Sequence, residues 1–265
     1  MMRSVLLRTL YEKRVFTLGW TLGFAAFAAL MASFYPAMHQ DGALDSLVAN
    51  MPKAFEGLIG NLANLKDFPS YLASQLFDIR LPLIAGIMAI ILGLGLSTSQ
   101  EEIGELRTVT ALPISRTKVL FEKWLALVII TLVATIGLLV GIYAVMPFLD
   151  NVTLESATVI RLVAMTWLLM ITYGTITFAT GIALGNRGLA NGISIFVIVG
   201  SFILSTFAQA VDWLEKFEVL SLIHYFPAVD IANNGIRIED VVVLGATNVI
   251  VLFVAWIRFR TRDIA

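Results

Sequence analysis

Trp124-Leu-Ala-Leu-Val-Ile-Ile-Thr-Leu-Val-Ala-Thr-Ile-Gly-Leu-Leu-Val-Gly-Ile-Tyr-Ala-Val-Met-Pro-Phe148 runs without a single charge. About 20 apolar residues, rising about 1.5 Å each as a helix, cross the hydrocarbon core of a bilayer, so this stretch is long enough to span. Its apolar residues are continuous rather than alternating. A backbone in lipid must also satisfy its own hydrogen bonds, so a helix is expected and a barrel strand is not. Five more such runs lie on either side: Val15 to Phe34, Ile79 to Thr98, Leu162 to Leu184, Ile193 to Val211 and Val241 to Ile257.

The whole chain agrees with that reading. Of its 265 residues, 58% are hydrophobic and 14% charged, and the mean hydropathy is +0.88. Soluble domains carry about 45–50% apolar and about 25% charged residues, so an ordinary soluble enzyme is excluded. The expected fold is an all-α integral membrane protein, with residues 1–265 forming one six-span transmembrane domain.

Six spans put both termini on one side. Arg3, Arg8, Lys13, Arg14, Arg107, Arg116, Lys118, Lys123, Arg187, Arg258, Arg260 and Arg262 fall on that side, 12 of the 18 basic residues. The positive-inside rule therefore places both termini in the cytoplasm of a multi-pass protein of the plasma or inner membrane. The net charge of −1 conceals this asymmetry and gives no support to nucleic-acid binding. The first apolar run exceeds the usual signal-peptide core of about 7–15 residues, so an uncleaved span is expected.

The segments between spans carry patterns of their own. Met2, Leu6 and Leu10 share a helical face beside Arg3, Arg8, Lys13 and Arg14. Two readings fit: a helix lying in the inner membrane interface, or a short basic tail that only sets topology. Outside, Leu44, Leu47, Val48, Met51, Phe55, Leu58, Ile59, Leu62 and Leu65 follow the spacing of an amphipathic helix. A second such stretch, Trp213, Leu214, Phe217, Leu220 and Ile223, leads to the aromatic cluster Tyr225-Phe226-Pro227 expected at the outer interface.

Several chemistries are missing. The apolar cores of the spans hold no Asp, Glu, Lys, Arg or His, the groups that ion-coupled carriers use at mid-membrane depth. There is no G-x-x-x-x-G-K-[ST] loop for nucleotide phosphates, no cysteine, and no H-E-x-x-H; His39 and His224 both fall in outer segments. No catalytic residue, metal ligand or cofactor of the chain's own is therefore expected.

Ser194, Ser201, Ser205 and Gln209 recur at 7, 4 and 4 along one face of the fifth span. They fit a substrate path between two copies, and they equally fit hydrogen bonding within their own helix or to a neighbour. Gly19-x-x-x-Gly23, Gly137-x-x-x-Gly141 and Gly181-x-x-x-Gly185 permit close helix approach, within the chain or between subunits.

Between the second and third spans stands Glu101-Glu102-Ile103-Gly104-Glu105-Leu106-Arg107-Thr108-Val109-Thr110-Ala111-Leu112-Pro113-Ile114-Ser115-Arg116, ending toward Lys123. Ser99 and Glu102 have capping-box spacing, and three glutamates sit where a helix dipole favours negative charge, so a short helix should start here. Pro113 stops it and Ser115 caps the next, which runs into the third span. Ile103, Leu106 and Val109 give the short helix an apolar edge, suited to docking a soluble partner or to a plain solvated loop.

This loop resembles that of the permease subunits of ABC-2 type transporters, whose pattern is E-E-x-G-x-L, a few apolar residues, P-[IV]-S-R and a downstream Lys. Glu101, Glu102, Gly104, Leu106, Pro113, Ile114, Ser115, Arg116 and Lys123 match it in order and spacing, while Glu105 stands where the family often carries a small hydroxyl residue. The resemblance implies a permease that pairs with a second copy, as homodimer or heterodimer, and couples to two separate ATPase subunits. ATP and Mg would then be bound by those subunits, and Glu101 to Lys123 would be the contact with them. An ATP-driven exporter is the function so implied; a membrane-embedded enzyme and a non-transporting scaffold are the competing classes.

Overall fold

A computed structural model describes residues 4–39, 67–78, 80–98, 115–149, 152, 154–208 and 211–261. The described residues form helices and no strand. Six helical runs are long and apolar enough to cross a membrane: Arg14–Ala37, Phe68–Leu96, Arg116–Phe148, Ser156–Leu184, Arg187–Phe207 and Ile238–Thr261, here spans 1 to 6. A short helix, Val5–Glu12, precedes span 1. Each run contains one of the expected apolar stretches or overlaps nearly all of it. The protein is an all-α membrane protein.

Local chemistry sets where several spans begin and end. Ser115 adopts extended backbone and accepts a hydrogen bond from the Lys118 amide at 3.3 Å, capping span 3 as its sequence position predicts. Asn186 does the same for span 5 through the Leu189 amide at 3.0 Å. Between spans 4 and 5 the turn needs a left-handed residue, and Gly185 supplies it at φ 62°. Span 2 departs most from expectation, starting at Phe68 rather than Ile79. Asp67 caps its first turn through the Ser70 amide, and Ala73–Asp78 is wound as a π-helix. The wider turn is closed by Arg80, whose guanidinium donates to the Gln75 carbonyl at 2.6 Å.

Span 4 is the axis of the bundle, packed against spans 2, 3, 5 and 6, and 67% of its most apolar window is buried. Span 1 lies at the periphery, with only 17% buried, and packs mainly along span 3. Glycine makes that crossing close. A Cβ at Gly137 or Gly141 would meet the span 1 backbone at the Thr21 and Ala25 carbonyls. The Gly137-x-x-x-Gly141 pair thus serves packing within the chain, whereas Gly19 and Gly23 have open space beside them.

Several threonine hydroxyls inside the bundle are satisfied at short range. Thr166, Thr172 and Thr177 each return their hydroxyl to the carbonyl four residues earlier, at 2.8, 2.9 and 3.0 Å. Indoles make some of the cross-helix bonds: Trp124 donates to Thr175 Oγ1 at 2.9 Å and Trp167 to the Val128 carbonyl at 3.2 Å.

Two expected amphipathic elements differ in the structure. In the N-terminal helix, Leu10 packs on the core, while Leu7 and Tyr11 are the exposed apolar side chains. The exposed apolar edge of this helix is thus Leu7 and Tyr11, and Met2 lies outside the described residues. After span 5, the stretch from Trp213 to Tyr225 is three short pieces, Asp212–Glu215, Glu218–Leu220 and Ile223–Tyr225, not one helix. The expected amphipathic helix at residues 44–65 lies outside the described residues.

Candidate functional site

The bundle has two chemically distinct ends. At one, the basic end, the N-terminal helix, the end of span 2, the start of span 3 and the end of span 6 come together. Of the loop residues singled out above, Glu101, Glu102, Gly104, Glu105, Leu106 and Pro113 lie outside the described residues. Ser115, Arg116 and Lys123 are described, and all three belong to the first turns of span 3 or its cap. Lys123 is buried, with 2% of its surface exposed, unusual for a lysine and therefore a sign of a specific seat.

Span 3 is fastened to its neighbours over these first turns. Arg116 donates from Nη1 to the Phe259 carbonyl on span 6 at 3.3 Å, and Trp256 of span 6 donates to Thr117 Oγ1 at 3.1 Å. Glu122 reaches the N-terminal helix, accepting at Oε2 from the Ser4 hydroxyl at 3.0 Å and the Leu6 amide at 2.9 Å. It also lies 3.7 Å from Lys118, one turn back on its own helix. Trp124 then ties the next turn to span 4. The first turns of span 3 are thereby bonded to the N-terminal helix and to spans 4 and 6. Among the described residues here, no nucleophile and base are set against each other.

The serine stripe of span 5 is turned into its own chain. Ser194 is buried and donates to the Ala190 carbonyl at 2.7 Å. Ser201 accepts from the Leu222 amide at 3.2 Å, and its carbonyl accepts from the Ser221 hydroxyl at 2.8 Å. The Ser205 and Ser221 hydroxyls are 2.7 Å apart, and Ser221 also accepts from the Ile223 amide at 3.1 Å. Ser201 and Ser205 thus bond to the segment between spans 5 and 6, and Ser194 bonds to its own helix. Gln209 lies outside the described residues. Leu222 and Ile223 are buried, and these hydroxyls accept from their amides in place of water.

Three residues that matter to this geometry escaped the sequence reading. Ser221 carried no signal, since a serine in an outer loop is ordinary. Asn248 carried one: it is a lone amide in an apolar run, and it donates to Thr172 Oγ1 on span 4 and to the Leu244 carbonyl, both at 2.8 Å. Glu122 also carried one, being an acidic residue at the foot of a span where bases prevail. At the opposite end, His224 pairs with Glu218 at 3.1 Å.

Comparison with known proteins adds the family. No curated protein matches the chain. The family described as ABC-2 family transporter protein matches residues 13–264, taking in all six spans and the loop between spans 2 and 3. Six apolar helices and this match along nearly the whole chain lead to one conclusion: the chain belongs to the ABC-2 family, as the membrane permease subunit of an ABC transporter.

Proposed function

We propose that the protein is the permease of an exporter, driven by two copies of a separate ATPase that dock on the 100–123 loop, and that it works paired with a second permease copy. The carrying observation is the motif from Glu101 to Lys123, which stands between spans 2 and 3 in a chain of this family. The attachments of Ser115 to Trp124 support the reading, because they give the end of that loop a grip on spans 3, 4 and 6. ATP and Mg belong to the ATPase. Under this reading Glu101, Glu102, Gly104, Glu105 and Leu106 meet the ATPase, while Pro113, Ser115, Arg116 and Lys123 pass its movement to span 3. The 12 basic residues of this side support a cytoplasmic location for it and both termini, in a protein of the cell's plasma or inner membrane.

The test is a Glu102→Ala, Gly104→Pro double variant. It should insert normally yet lose ATPase association, or keep association and lose substrate-stimulated ATP turnover. Normal association with normal stimulated turnover refutes the docking assignment. ATP-dependent movement of cargo by the reconstituted complex separates the exporter from a scaffold.

A further inference from the structure

The N-terminal helix touches both helices that flank the 100–123 loop. On the far flank, Glu122 of span 3 takes the Ser4 hydroxyl and the Leu6 amide. Ser4 stands in the N-cap position with extended backbone, but its hydroxyl does not close onto its own helix. The first-turn amide of Leu6 would otherwise have no intrahelical partner, and a carboxylate from a residue 116 positions away supplies one. On the near flank, the Lys13 ammonium lies 3.1 Å from where a Cβ at Gly95 would stand. Gly95 is in the last turn of the Arg80–Leu96 helix, where the helix dipole is negative and favours a cation. Buried Thr9 anchors the middle.

We propose that Glu122 is a positioning residue which fastens the Ser4–Lys13 segment as a strap across both flanks of the loop, so that spans 2 and 3 move as one when the loop is displaced. This rests on the ATPase docking of the loop proposed above. Without the strap, a push on the loop passes through span 3 to spans 4 and 6, to which span 3 is bonded, and reaches span 2 mainly by way of span 4. With it, the same push is shared with span 2, which packs on central span 4. The strap's exposed edge, Leu7 and Tyr11, leaves it free to slide in the membrane interface as the two spans shift.

The test uses the permease and its ATPase together, with nitroxide labels on Leu7→Cys and Trp213→Cys, both exposed sites in a chain without native cysteine. In the permease alone, Glu122→Ala should release the strap and shift more than half of the Leu7→Cys spins to a mobile spectrum. Glu122→Gln, whose amide oxygen still accepts from Ser4 and Leu6, should keep the parent spectrum. In the complex, Glu122→Ala should retain ATPase association and ATP turnover within about twofold. Movement of the Trp213→Cys label on vanadate trapping should fall to under a third of the parent's, and Glu122→Gln should restore it. A merely structural role would lower thermal stability without separating turnover from movement. An unchanged Leu7→Cys spectrum in Glu122→Ala, or a released strap with full movement at 213, overturns the proposal. Should Glu122→Ala fail to fold, Ser4→Ala with Lys13→Met removes the Ser4 bond at one flank and the Lys13 ammonium at the other and is read the same way. If the Glu102→Ala, Gly104→Pro variant behaves normally, the docking reading itself fails; if that variant uncouples while strap release does not, only the strap is wrong.

Discussion

The same substitution, glycine to alanine, should have opposite effects at two places in this protein. At Gly141 a Cβ would meet the Ala25 carbonyl oxygen and lie 2.9 Å from both its carbon and the Ala25 Cα. Carbon atoms in contact prefer about 3.5–4.0 Å, so spans 1 and 3 must part by roughly 0.6–1.1 Å. No side chain can swing aside, because the obstacle is helix backbone. Nor can the helices simply tilt, since one turn away Gly137 meets Thr21 in the same manner, with its carbonyl carbon at 3.0 Å. Overpacking of this sort costs about 1–3 kcal/mol. Parting the helices also endangers the Thr21 hydroxyl's bond to the Val133 carbonyl, 3.3 Å long, of a kind that contributes about 0.5–1.5 kcal/mol. Better helix propensity returns about 0.8–1.0 kcal/mol. Gly141→Ala should therefore lose about 0.5–3.5 kcal/mol, which at about 2–4 °C per kcal/mol lowers the Tm of the purified permease by about 1–14 °C. At Gly19 nothing lies within 4 Å, so only the propensity gain remains, and Gly19→Ala should hold or slightly raise the Tm. Thermal unfolding in one detergent decides it. Shifts of the same sign and size for both variants would refute the claim that Gly137 and Gly141 form the seat of span 1.

Ser221→Ala strips the Ile223 amide of its acceptor, a loss of about 1–3 kcal/mol, and should speed hydrogen exchange of that amide by about 5- to 100-fold; unchanged exchange would show that the hydroxyl network does not hold the segment. Asn248→Ala breaks the link to Thr172 and should destabilise the protein by about 0.6 kcal/mol and at most about 1.7, measured by denaturant unfolding, because membrane hydrogen bonds are worth no more than that. A membrane-impermeant thiol reagent should label Ser46→Cys and Trp213→Cys in intact cells and Arg8→Cys only after lysis, and the reverse pattern refutes the cytoplasmic placement of the basic end.

The six spans were legible because lipid leaves the backbone one choice, and length and apolarity then suffice. Their ends were less legible wherever protein replaces lipid. Span 2 begins 11 residues before the apolar run at Ile79, and Ser70, Ser74 and Gln75 in that extension are buried among other helices. A hydropathy reading treats such residues as solvent-facing. In the N-terminal helix Leu6 and Leu10 compete with Leu7 and Tyr11 for the exposed side, and periodicity cannot choose between two apolar edges of one helix. Contact with span 3 chooses, by claiming Leu10 and Thr9.

The polar residues divide along the same line. A hydroxyl that bonds back to its own helix leaves its whole account in the local sequence, as Ser194 does with Ala190. Ser201 and Ser205 show in the sequence as a stripe, yet what they hold is fixed by Ser221, which reaches them only because the chain turns back after span 5. Glu122 is the extreme case: its partners lie 116 and 118 residues away, and nothing near it in sequence distinguishes a carboxylate that caps a distant helix from one paired with Lys118. The distinction is one of magnitude. The contact with Lys118, at 3.7 Å and with the lysine mostly exposed, is worth little. The two bonds to the N-terminal helix, at 3.0 and 2.9 Å to a charged acceptor, are of the stronger charge-assisted kind. Replacing Lys118 with alanine should accordingly leave the N-terminal helix in place, whereas replacing Glu122 with alanine should release it. A Lys118→Ala variant that frees the Leu7→Cys label as fully as Glu122→Ala would show the ion pair, and not the clamp, to be what holds that helix.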